Sequence, residues 1–77
     1  MAGPIKRSGT IAGHETSISL EPVFWEALKI AAERRSLPVN ALIAQIDAGR
    51  IALEGPPNLA SAIRVWLMER ASALSGD

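Results

Sequence analysis

The stretch "GHETSISLEPVFWEAL", residues 13–28, decides the reading of this chain. Polar and apolar residues alternate through Thr16, Ser17, Ile18, Ser19 and Leu20, and at Glu21-Pro22 the pattern changes to a helical one. The two-residue period of a strand puts Thr16, Ile18 and Leu20 on one face and Glu15, Ser17 and Ser19 on the other. A strand over about 15–20 is therefore predicted. A lone strand leaves two edges of unpaired amides, so the question is what it pairs with.

A second strand within the chain could only be Thr10-Ile11-Ala12, turning back through Gly13-His14. That hairpin is very short, and two-stranded hairpins are marginal by themselves. The alternative is the same strand from a second copy, antiparallel across a two-fold axis, and this is the pairing the sequence favours. Residues 1–13 hold three glycines and a proline among small residues and are read as a flexible arm carrying Lys6 and Arg7. The single folded domain then spans 14–74, with 75–77 a frayed end.

Size points the same way. Seventy-seven residues make one small domain, and such chains lean on disulfides, metals or partners for stability. There is no cysteine and one histidine, His14, which excludes disulfides and any cysteine- or histidine-rich metal site within one chain. Oligomerisation is the support that remains, and 48% apolar content gives it material to bury. No run approaches the roughly 18 apolar residues that span a bilayer, and Lys6-Arg7 is not followed by an apolar run of signal-peptide length. No membrane partner and a cytoplasmic address are expected. Eight acidic and eight basic residues cancel, which argues against a strong electrostatic grip on nucleic acid.

Three helices follow the strand. The first, about 22–35, starts at Pro22, a favoured first helical position, with Leu20 and Trp25 placed for a hydrophobic staple. Its apolar stripe is Phe24, Trp25, Leu28, Ala31 and Ala32. The second, about 38–50, puts Val39, Leu42, Ile43 and Ile46 on one face. "LEGPPN" breaks the chain, and Asn58 is an N-cap for the third, about 59–74, with Leu59, Ile63, Trp66 and Leu67 apolar.

Strand, helix, short turn, helix resembles the ribbon-helix-helix superfamily of bacterial DNA-binding proteins. The closer likeness is to a small bacterial family built around H-x-T-S-h-S-L-E-x-x-F-W-x-x-L, with h aliphatic, and carrying an added third helix. "TSISLEPVFWEAL" here follows that pattern, and the resemblance covers residues 10 to about 70. It implies a mainly α fold with one short β-strand: an intertwined homodimer whose two strands form an intermolecular antiparallel ribbon, plus a C-terminal third helix. The implied dimer core is Thr16, Ile18, Leu20, Phe24, Trp25, Leu28, Leu42, Ile43 and Ile46. The implied ligand is double-stranded DNA, with the ribbon in the major groove. Glu15, Ser17 and Ser19 then face base edges, while the amides of Val39 and Asn40 at the start of the second helix hold a phosphate. Lys6, Arg7 and His14 complete the expected DNA-contacting set.

The chain departs from that pattern at three places. Two serines and a glutamate stand where arginine, lysine, asparagine or glutamine usually reads bases. Ser36 stands where glycine is common, and Pro38 where a serine or threonine cap is common. Lys6-Arg7 serves either solubility or an arm tracking phosphates. Trp25 and Trp66 read as core or interface residues. His14 and Glu15 are adjacent in a strand and so point to opposite faces, which excludes an acid–base pair. No nucleophile motif or phosphate loop occurs; an enzyme is not expected, nor is a cofactor or metal. Two functions remain: a dimeric DNA-binding regulator, repressor or antitoxin-like, and a ribbon-helix-helix dimer serving as a protein-interaction module through the third helix.

Overall fold

The computed structural model describes residues 3–11, 13–53, 55 and 58–74, with side chains of the last helix described through Ala71. It is mainly helical, with one two-stranded antiparallel sheet. Strand β1 (Ile5–Ile11) and strand β2 (His14–Leu20) precede helices α1 (Pro22–Arg34), α2 (Val39–Ile51) and α3 (Leu59–Leu74). The expected frayed end, 75–77, lies outside the described residues.

Two expectations are corrected here. Residues 5–11 are not a flexible arm: they form β1, paired along its whole length with β2 from Ile5↔Leu20 to Ile11↔His14. The strand that pairs with β2 therefore belongs to the same chain, where the sequence favoured that of a second copy. The hairpin is far longer than the three residues weighed from the sequence. Gly13 in its turn sits at φ 83°, a left-handed conformation that costs glycine nothing and other residues much.

The inner face of the hairpin lies on the helices. Ile18 and Leu20 are 5% and 0% exposed, and β1 adds Ile11 at 5%. Trp25, Leu28 and Ala32 from α1, Leu42, Ile43 and Ile46 from α2, and Ile63 and Leu67 from α3 complete one cluster. Phe24 packs against it partly buried, and Thr16 is half-buried. Apart from Thr16, the residues assigned from the family pattern to a dimer core thus lie in or against the core of a single chain.

The helix ends follow from local chemistry. The carbonyl of Glu21 accepts the amides of Phe24 (2.9 Å) and Trp25 (3.1 Å), starting α1, while its side chain makes no cap. At the other end Ser36 N–H reaches Glu33 O (3.0 Å) and Leu37 N–H reaches Ala32 O (2.9 Å), the paired bonds of a Schellman motif. That motif needs a left-handed residue, and Ser36 supplies it at φ 55°. Asn58 Oδ1 accepts the Ser61 amide at 2.8 Å, capping α3.

Candidate nucleic-acid interface

Because directly paired residues share a face, the register fixes which side chains the hairpin turns away from the helices. They are Lys6 opposite Ser19, Ser8 opposite Ser17 and Thr10 opposite Glu15, all exposed. Ser8 Oγ and Ser17 Oγ are 3.2 Å apart and share a hydrogen bond. A shallow hollow lined by Ser8, Gly9, Thr10, Glu15, Thr16 and Ser17 lies along the turn-side half of the hairpin. The result is a short hydroxyl-lined ribbon with one cation toward its open end and one carboxylate near its turn. Hydroxyls both donate and accept, so they bond several base edges and discriminate weakly.

The expected DNA-contacting set divides on this geometry. Lys6, Glu15, Ser17 and Ser19 share the outward face. Arg7 and His14 do not: Arg7 pairs with Ile18 and His14 with Ile11, on the helix-facing side. The Arg7 guanidinium lies over the Trp25 ring, 5.1 Å from its centroid, so it is engaged in the fold and is no part of a free arm. His14 is exposed beside the turn. Ser8 and Thr10, outside the set expected from the sequence, join the outward face. Their signal was the alternation of Lys6, Ser8 and Thr10, obscured because Arg7 and Gly9 occupy two of the inner positions between them.

At the start of α2, the carbonyl of Pro38 accepts the amides of Ala41 (3.1 Å) and Leu42 (3.2 Å). Val39 and Asn40 are the first two helical residues, whose amides have no acceptor within the helix. Asn40 is exposed and Val39 half-buried against the core. Pro38 provides no side-chain cap, so these amides are not covered by their own chain's cap.

One ion pair ties the far end of β2 to α3. Arg64 Nη2 and Nε lie 2.8 and 2.9 Å from Glu21 Oε1, and Nη2 lies 3.4 Å from the Ser19 carbonyl. The Glu21 carboxyl is held below its ordinary range, first by its own backbone amide and then by the Arg64 guanidinium. Among the described residues no group of three His, Cys, Asp or Glu side chains could hold a metal ion, and no helix is long and apolar enough to cross a membrane.

Neither the curated proteins nor the solved structures contain a match to this chain. A family model described as a ribbon-helix-helix domain does match it, over residues 4–71, from just before β1 into the last turns of α3. With that match spanning nearly the whole chain, the protein belongs to the ribbon-helix-helix domain family.

Proposed function

We propose that this protein is a DNA-binding transcriptional regulator, a local repressor or antitoxin-like protein, acting in the cytoplasm as a homodimer. Ribbon-helix-helix domains are regulatory DNA-binding modules in general, not enzymes, and generally form homodimers. The observation that carries the reading is the hairpin itself: a two-stranded antiparallel ribbon that sends Ile11, Ile18 and Leu20 into the core from its helix-facing side and is fully polar on the other. A ribbon of this width fits the major groove, with Lys6, Ser8, Thr10, Glu15, Ser17 and Ser19 toward the bases. The free amides of Val39 and Asn40 take a phosphate. Both strands keep one open edge, and a second copy's strand is the natural occupant of such an edge.

The charge on the ribbon sets the expected strength. With Lys6 offset by Glu15, few phosphates are neutralised, so affinity falls with salt less steeply than for a basic repressor. Binding to a random duplex and to the protein's own upstream region, read by fluorescence anisotropy at two salt concentrations with the mass measured alongside, tests this. Tighter, salt-sensitive binding of a dimer to the upstream region supports autoregulation. A protein that ignores both duplexes at low salt overturns the DNA reading.

The same near-neutral ribbon favours a second reading, a protein-interaction module with little DNA affinity. Glu15→Arg separates the two. If that single change raises duplex affinity by more than about tenfold, which is roughly 1.4 kcal/mol, the natural ribbon is a poor DNA face and the second reading gains.

A further inference from the structure

A second concave surface lies on the helices, independent of the ribbon and its ligand. Between the C-terminal half of α1 and α3, the side chains of Ala27, Ile30, Ala31, Leu67 and Ala71 line an apolar groove walled by Trp66. Ile30 is 44% exposed, a large apolar side chain facing solvent. The rim is cationic on both sides: Arg34 from the last turn of α1 and Arg35 just after it, Arg70 from α3. No carboxylate is among the residues lining the groove.

These arginines are placed and unneutralised. The guanidiniums of Arg35 and Arg70 lie 5.0 and 5.1 Å from the centroid of the same Trp66 ring, one reaching it from the C-terminal end of α1 and the other from α3. The ion pairs among the described residues are Arg50–Asp47 and Arg64–Glu21, so none of the three rim arginines is paired. Two like charges converging on one indole are only partly offset by the ring. Contact with the ring also restrains each guanidinium, whose planar fork suits bidentate capture of a carboxylate. A sugar-phosphate backbone would satisfy the arginines but leave the apolar floor uncovered. A helix with an apolar stripe covers both.

We propose that the α1–α3 groove docks an amphipathic helix of a partner protein, with its apolar stripe on Ile30, Leu67 and Trp66 and acidic residues on both flanks against Arg34, Arg35 and Arg70. Arginines on both walls are what require carboxylates on both flanks. The probe is a fluorescently labelled synthetic helical peptide with leucines at i, i+3, i+4 and i+7 and glutamates on either side, titrated into the full chain. The expected result is saturable binding that weakens at least tenfold when the glutamates become lysines. Arg35→Glu with Arg70→Glu, at two exposed positions, weakens the acidic peptide at least tenfold and lets the lysine peptide bind instead. Binding of the random duplex stays unchanged in that double variant. Equal binding of the two peptides, or no binding of the acidic one, overturns the proposal. So does loss of duplex binding in the double variant, which would assign the arginines to phosphates. An Ile30→Asp change that turns a dimer into a monomer also overturns it, because the groove would then belong to a second copy.

Discussion

β1 and β2 are each seven residues long and are paired residue for residue, yet the fold holds them very differently. β2 sends Ile18 and Leu20 into the core. Opposite them β1 places Arg7 and Ile5, both exposed. β1 is secured near its two ends: Ile11 is buried beside the turn, and the Trp25 indole Nε1–H donates to the Ile5 carbonyl at 2.9 Å. One strand is thus part of the core and the other is tied to it. The ribbon is a stiff strand carrying a lighter one, and leaving the sheet would expose far less apolar surface for β1 than for β2.

The contrast is sharpest at the pair Ile5↔Leu20. Leu20 is fully buried, so Leu20→Ala should cost about 3 kcal/mol from lost transfer energy and the cavity left behind. That is a large share of the roughly 5 kcal/mol a domain of this size commands. Ile5, 42% exposed, should lose less than about 1 kcal/mol on the same truncation. Urea midpoints of the two variants measure the difference, and equal losses would mean that β1 is as deeply anchored as β2.

Trp25→Phe attacks the tie at the open end. It keeps an aromatic ring in the core but removes the donor to Ile5 and weakens the surface under Arg7, for an expected loss of about 1–2 kcal/mol. Protease cleavage within residues 5–8 should rise more than global unfolding explains. Unchanged cleavage would place the hold on β1 at Ile11 alone.

How legible the two strands were in the sequence follows from the same contrast. β2 alternates because its inner positions 16, 18 and 20 meet the core, and the first turn of α1 announces itself through Pro22. The cap at Asn58 was legible because it is local, as its bond to the Ser61 amide shows. β1 resembles an arm in the sequence because two of its inner positions are Arg7 and Gly9, residues that break the apolar alternation of a strand. Arg7 is tolerated there because an indole from α1 lies beneath it, a contact between residues far apart in the chain. The outward trio Lys6, Ser8 and Thr10 disappeared with the strand that carries it. The Arg64–Glu21 pair, 43 residues apart, has no local signature at all.

Gly9 offers a way to narrow the gap between the strands. It lies opposite Thr16 on the inner face; a Cβ added there meets nothing within 4 Å, and its backbone is not left-handed. Gly9→Val should stabilise the protein by about 0.5–1 kcal/mol through lower entropy of the unfolded chain and a β-branched cross-strand pair with Thr16. A gain in the thermal midpoint with an unchanged affinity for the acidic peptide checks it. A loss of stability would show that the helices need close access to the backbone at Gly9.

The smallest effect concerns the latch on β2. Glu21 follows Leu20 directly, and its carboxylate meets Arg64 while the same guanidinium reaches the Ser19 carbonyl. The folded-state pKa of Glu21 is depressed, by its own amide first and by Arg64 second. A depressed carboxylate contributes stability that is present above the unfolded value, about 4.3 for glutamate, and lost as pH falls through the lower folded value. Stability should therefore decline on acidification below about pH 4, and Arg64→Gln should remove only part of that decline because the amide remains. The contribution is modest, since the pair is partly open to solvent and screened by salt. Denaturation curves of the natural chain and the variant across that range decide it. If the two decline in parallel, Arg64 does not set the Glu21 charge.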